Sequence, residues 1–332
     1  MYKIVALDND ALCNNILKSF KKEDIIEYNM SKFKDGEIFV ELNEPARGDD
    51  VIIVSSISDP VNDNLMKILI CADALKRASA KSIILIAPYL SYSRQDRKTR
   101  PWQPITARLV ADLLQTSGIT RLITFDLHAA QIEGFYSIPI DNIPISAILG
   151  ALWRKSCPPN FDPGHVVVVS PDQGGVVRAR AFMNSARIPN LVVVNKYREK
   201  ANEISSMQII GDVKNKTAII VDDMIDTGGT LMKSAKGLKD LGANDIYVFA
   251  THGVFSDNAI ERLSNCEYLK NVIVTNTIDK QKDLINNKIN YVDLTEVVIG
   301  IIDTFRNENN VNNLYNYLVK LSTEGFHINK VL

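Results

Sequence analysis

Short runs of aliphatic and β-branched residues recur along the chain and predict strands at 3–7, 51–55, 82–88, 121–125, 166–170, 191–195, 217–221, 245–250 and 271–275. Several of these runs are continuously apolar. That is the pattern of parallel strands covered on both faces, not of strands with one wet side. Between them lie stretches with helical spacing, at 64–78, 106–117 and 231–241. The alternation predicts an α/β fold of mainly parallel sheets flanked by helices. In such folds the chemistry gathers beyond the carboxyl ends of the strands.

Two stretches share one order. VIIVSSISD leads to a helix opening Leu65-Met66-Lys67 and then to SIILIAPYL; AIIVDDMID leads to a helix opening Leu231-Met232-Lys233 and then to IYVFATHG. Ser55 and Ser56 stand in the first where Asp222 and Asp223 stand in the second. A duplicated domain is expected, its first copy without the acid pair; convergence of two α/β units on one pattern is the alternative. The boundary is placed between Pro144 and Gly150. This gives a first domain at 1–146, a second at 147–305 and a tail at 306–332, in which a polar break at 307–313 precedes a helical 314–321.

Bulk properties narrow the function class. A length of 332 residues fits two domains. A formal net charge of −1 gives no basic excess for nucleic acid. The opening strand is broken at once by Asp8 and Asp10, unlike a signal peptide, and no apolar run approaches the roughly 20 residues of a membrane span. Cys13, Cys71, Cys157 and Cys266 are far apart, which points to reduced thiols in a cytoplasmic protein and away from a zinc site.

The densest chemistry lies in Val221-Asp222-Asp223-Met224-Ile225-Asp226-Thr227-Gly228-Gly229-Thr230, between an apolar strand and a helix. Read as a strand end, the acid pair can bind sugar hydroxyls, directly or through a divalent cation. The small-residue turn that follows exposes amides at a helix N-terminus, a seat for phosphate. Solvated acids in an ordinary loop are the alternative. Four further strand-terminal segments carry charge: Arg94-Gln95-Asp96-Arg97-Lys98, Asp126-Leu127-His128, Ser170-Pro171-Asp172 and Asn195-Lys196-Tyr197-Arg198. Phe33-Lys34-Asp35-Gly36-Glu37 reads as a hairpin turn beside a strand. Taken singly, each of these also fits a surface loop or a packing residue.

Together, in this order, the segments resemble the ribose-phosphate pyrophosphokinases over about residues 3 to 305. VDDMIDTGGT alone is equally similar to phosphoribosyltransferases, which would leave RQDRK, DLHA and FKDGE unexplained. The resemblance implies two phosphoribosyltransferase-like domains and transfer of the β,γ-diphosphoryl group of ATP to the 1-hydroxyl of ribose 5-phosphate. It implies ATP binding by Arg94, Gln95 and Arg97, with Phe33, Asp35 and Glu37 reaching in from a neighbouring subunit. Ribose 5-phosphate would be held by Asp222, Asp223, Asp226, Thr227, Gly228, Gly229 and Thr230, Mg²⁺ by His128 and Asp172, and the transferred group by Lys196 and Arg198. A homo-oligomer built from dimers, up to a hexamer, is implied by the shared ATP site. Leu90, Ser91, Ser93 and Asn195 depart from the family pattern, as do Pro101 and Trp102 in a stretch (99–103) tied to its phosphate activation and ADP inhibition. A non-catalytic homologue that binds an active synthetase is the alternative; such proteins interrupt the loops that are whole here.

Overall fold

The computed structural model describes residues 2–197, 206–306 and 313–324. In chain order the elements begin with β1 (Tyr2–Ala6), α1 (Ala11–Ser19), β2 (Tyr28–Lys32), β3 (Ile38–Leu42), β4 (Asp50–Val54) and α2 (Val61–Arg77). β5 (Ser82–Ala87), α3 (Thr106–Ser117), β6 (Arg121–Phe125), β7 (Ile140–Ile143) and α4 (Ile145–Ser156) follow. Next come β8 (Val166–Ser170), α5 (Val176–Ala186), β9 (Leu191–Tyr197), β10 (Ser206–Ile210), β11 (Thr217–Ile225) and α6 (Gly229–Asp240). The chain closes with β12 (Ile246–Gly253), α7 (Ala259–Ser264), β13 (Asn271–Thr275), β14 (Ile289–Val292), α8 (Thr295–Arg306) and α9 (Asn313–Glu324).

Two compact units result. The first holds Met1–Ile143 and Leu294–Leu314; the second holds Pro144–Asp293 and Tyr315–Leu332. The first unit's sheet runs β1-β4-β5-β6-β7 with every pairing parallel. The second unit's sheet runs β10-β9-β8-β11-β12-β13-β14, parallel except where β10 returns along β9. Its last five strands repeat the order of the whole first sheet. At the matching point in sequence, after the first helix, the first unit carries the antiparallel β2–β3 ribbon where the second carries β9–β10.

Burial explains the apolar runs. Every residue of β4 and of β8 is buried, as parallel strands sandwiched by helices require. α8 follows the last strand of the second unit, yet it packs in the first, where Arg306 pairs with Asp24 at 2.8 Å and stacks on Phe20. α4 likewise follows β7 but belongs to the second unit, leaving its sequence neighbours for α5 and β12. Among the described residues no helix is long and apolar enough to cross a membrane.

Candidate active site

In the second unit the predicted strand end moves. β11 does not stop at Val221 but continues to Ile225, so Asp222 and Asp223 lie within the strand. The cause is β12, which pairs with β11 through Asp222↔Ala250, Met224↔His252 and Ile225↔Gly253, while the β8 ladder stops at Ile220↔Val169. The acids therefore stand on a strand held along one edge beyond the point where its other neighbour has ended. Asp223 is 3% exposed. Its N–H donates to Asp222 Oδ1 at 2.9 Å. Arg178, on the first turn of α5, brings Nη1 to 3.4 Å from Asp223 Oδ1 and 3.7 Å from Asp222 Oδ1. Burial, then the charge of Asp223, pushes the Asp222 carboxyl well above the usual carboxylate range; Arg178 pulls it back and Asp172 adds to the rise.

The chain then turns through Thr227 and Gly228 into α6. Gly228 has φ +73°, a left-handed conformation that a side chain disfavours, and a Cβ there would lie 3.2 Å from Leu263 Cδ2. Arg262 Nη2 donates to Thr227 O at 2.9 Å and Phe255 N donates to Ile225 O at 3.0 Å, which pins the turn from the α7 side. As the capping residue of α6, Gly228 offers no side chain to its first amides, and Thr227 and Thr230 are exposed beside them. An uncapped helix N-terminus can seat an anion. Asp172 is exposed just beyond β8; its Oδ1 accepts the Gly175 amide at 2.8 Å, and Ser170 Oγ donates to its carbonyl. Lys196 is the next-to-last residue of β9, opposite Met207, but its side chain and the whole of Arg198 lie outside the described residues.

In the first unit the nucleotide-side candidates sit on two loops that a hydrogen bond joins. Arg94, Gln95 and Arg97 are exposed between β5 and α3, and His128 is exposed after β6. Gln131 Nε2 donates to the Asp96 carboxylate, latching the loops together. Gln95 O accepts the Ala107 amide and its side-chain oxygen accepts from Thr106, so this residue also anchors the start of α3. Asp126, between β6 and His128, is buried with φ +36°, a strained conformation of the kind that clusters at functional sites. Phe33, Asp35 and Glu37 form the tip of the β2–β3 ribbon: Phe33 is 56% exposed and packs edge-on to Phe39, while Asp35 Oδ1 accepts the Glu37 amide at 3.2 Å.

Comparison with known proteins is decisive at this point. Residues 2–118 match the N-terminal domain of ribose phosphate pyrophosphokinase and residues 165–316 match the phosphoribosyl synthetase-associated domain. A ribose-phosphate pyrophosphokinase of Fusobacterium nucleatum is 44% identical over 86% of this chain and 89% of its own. One from Lactococcus lactis is 47% identical over 81% of this chain and 82% of its own. The chain belongs to the ribose-phosphate pyrophosphokinase family. The fold agrees: the crystal structure of phosphoribosylpyrophosphate synthetase from Mycobacterium smegmatis superposes with a TM-score of 0.83 at 37% identity, covering 92% of this chain and 99% of that one.

Several of the departures from the family pattern sit in defined local contacts. Ser91 and Ser93 are buried, and their hydroxyls donate to Ile57 O and Leu90 O, so each replaces a small residue without leaving a polar group stranded. Asn195 Oδ1 accepts from Gln173 Nε2 at 3.2 Å, a contact an aspartate would also make. In the 99–103 stretch Gln103 Oε1 accepts from Thr99 N, Thr99 Oγ1 and Arg100 N. That folds the loop into a tight turn and leaves Trp102 97% exposed with φ +62°. Arg178 lies outside the segments that the sequence singled out. The one signal available was its place in the first turn of a helix, where the helix dipole disfavours a cation.

Proposed function

We propose that this chain transfers the β,γ-diphosphoryl group of ATP to the 1-hydroxyl of ribose 5-phosphate, giving 5-phosphoribosyl 1-diphosphate and AMP. One observation carries the reading: the acid pair on β11 runs directly into an uncapped helix N-terminus at Gly228. The turn amides from Thr227 to Thr230 bind the 5-phosphate, with Asp226 at the mouth of the turn. Asp222 and Asp223 accept the 2- and 3-hydroxyls and so turn the anomeric carbon outward. Arg94, Gln95 and Arg97 hold the ATP phosphates by multidentate contact. Phe33, Asp35 and Glu37 take the adenine of a neighbouring subunit in a dimer-based homo-oligomer. Their exposure at a ribbon tip suits a role outside their own core.

Such transfer depends on alignment and on neutralising charge, with little covalent help from the protein. Lys196 and Arg198 stabilise the charge that develops at the β-phosphorus. Each candidate donor for a divalent cation is of a suitable type within its own unit. Asp172 offers a hard carboxylate, oriented by the Gly175 amide, and the exposed His128 imidazole suits contact through a bound water. When bound there, Mg²⁺ would neutralise and align the ATP phosphates. In this scheme the first unit serves ATP and the second serves the sugar. The four cysteines are free thiols, in keeping with a cytoplasmic setting.

The test is to incubate the purified chain with ATP, Mg²⁺ and ribose 5-phosphate, with and without inorganic phosphate, and to quantify AMP against ADP. Sugar-dependent AMP is expected. ADP in its place would mean monophosphoryl transfer, and neither product would move the chain to a non-catalytic role.

A further inference from the structure

Arg178 has a place that its own helix does not explain. It stands in the first turn of α5, where the dipole disfavours a cation, and its side chain is 11% exposed although Arg180, two residues on, is exposed. Its guanidinium instead meets both acids of β11, at 3.4 Å and 3.7 Å. Consecutive residues of a strand point their side chains to opposite faces. Asp222 and Asp223 nevertheless turn one oxygen each toward the same Nη1. Asp222 does so with its Oδ1 folded back over the Asp223 amide.

A Cβ at Gly175 would lie 3.1 Å from Ser170 Oγ, 3.5 Å from Asp172 Oδ1 and 3.7 Å from Arg178 Nη1. Only the first of these is tighter than ordinary contact, so a side chain there would press on Ser170 and lie against the guanidinium. A buried carboxylate such as that of Asp223 needs a counter-charge to stay ionised, and an ionised carboxylate only accepts hydrogen bonds. A sugar with two vicinal hydroxyls needs two such acceptors in a fixed relation.

We propose that Arg178 is a positioning residue of this site: its guanidinium fixes the Asp222 and Asp223 carboxylates in the arrangement that accepts both vicinal hydroxyls of ribose 5-phosphate. This rests on the sugar-site reading given above. It predicts that Arg178 sets the preference for ribose 5-phosphate over 2-deoxyribose 5-phosphate without touching either sugar.

The experiment compares the full-length chain with Arg178→Gln, Arg178→Lys and Asp223→Asn, using both sugars at saturating ATP. Arg178→Gln is expected to raise KM for ribose 5-phosphate about 30-fold, the scale of one charge-assisted contact, with kcat within about threefold. The ribose preference should narrow about tenfold, the scale of one hydroxyl contact. Arg178→Lys, which keeps a positive charge on a single nitrogen, should recover part of both. Equal losses on both sugars, with no recovery by lysine, would reduce Arg178 to a packing role and overturn the proposal. Should Arg178→Gln not fold, Arg178→Lys decides alone: a narrowed preference supports the proposal and an unchanged one overturns it. The control separates the two layers. Unchanged ribose 5-phosphate binding in Asp223→Asn removes the sugar site itself, whereas lost binding there beside an unaffected Arg178→Gln removes only the inference.

Discussion

The corners at Ser55-Ser56 and at Asp222-Asp223 occupy the same place in the five-strand frame of each unit, and they are resolved in opposite ways. In the first unit Asp8, two residues past β1, accepts from Ser55 Oγ at 2.9 Å, Ser56 N at 2.7 Å and Lys67 Nζ at 2.6 Å. Lys67 also reaches Asn64 Oδ1, and the corner is closed around an internal ion pair. In the second unit Asp172, likewise two residues past its strand, turns back onto its own Gly175 amide. Lys233, in the place of Lys67, is exposed. The acids there face a guanidinium and one another. The first corner is closed by its own partners, whereas in the second the Asp222 carboxyl is left raised by burial and by the neighbouring acid. Where the second unit has Asp222 and Asp223 the first has Ser55 and Ser56, which together with Lys67 satisfy Asp8 and make that corner self-sufficient.

Removing Asp8 should produce the largest effect. Asp8→Ala strands the Lys67 ammonium in a nearly buried position, which costs about 3–5 kcal/mol by analogy with other broken buried pairs. A lowered urea midpoint is expected, and Asp8→Ala with Lys67→Met should regain much of the loss. A midpoint unchanged by Asp8→Ala would erase the contrast between the corners.

In the second corner the equivalent lesion should strike binding instead. Asp223→Asn keeps the shape and removes an ionised acceptor, so ribose 5-phosphate affinity should fall about 100-fold by calorimetry, the upper range for a charge-assisted contact. The loss in stability should be small beside that of Asp8→Ala. The turn comes next: Gly228→Ala forces a side chain into a left-handed residue against Leu263, at about 1–2 kcal/mol, and should weaken both stability and phosphate binding. Full affinity in that variant would mean that the helix N-terminus does not hold the phosphate.

Much of this was legible in sequence because it depends on local pattern. The apolar runs of β4, β8 and β13 announce buried parallel strands, and Thr106–Ser117 has helical spacing throughout. β7 and β14 read IDNI and INYV, too short and too polar for pattern alone, and they form as outer strands because β6 and β13 offer an edge. The extension of β11 through its acids was also hidden, since the pairing with β12 that sustains it comes from 28 residues further along, as in Asp222↔Ala250. Resemblance marked the acid pair and the turn. It said nothing of Arg178, whose role depends on a side chain crossing from α5 to β11, or of the Asp8 cradle, whose partners lie 47 to 59 residues away.

The smallest effect sharpens the comparison most, because it has the opposite sign. Burial and the neighbouring charge of Asp223 raise the Asp222 carboxyl well above its ordinary range. A raised carboxyl means that the folded state binds its proton more tightly than the unfolded chain does. The folded state is therefore not penalised below the unfolded value, near 3.9, and loses stability as the pH rises from there toward the folded value. Asp222→Asn removes the charge and the penalty together. It should stabilise the free protein at neutral pH by about 1 kcal/mol, a rise of about 2–4 °C in melting temperature for a domain of this size, and by less near pH 4. The same variant should bind ribose 5-phosphate more weakly. A gain in stability with a loss of ligand is what a corner kept open for a sugar requires, and Asp8→Ala in the closed corner should show no such exchange. If Asp222→Asn instead lowers the melting temperature at neutral pH, the acid pair is held as contentedly as the Asp8 pair, and the two corners differ in composition but not in strain.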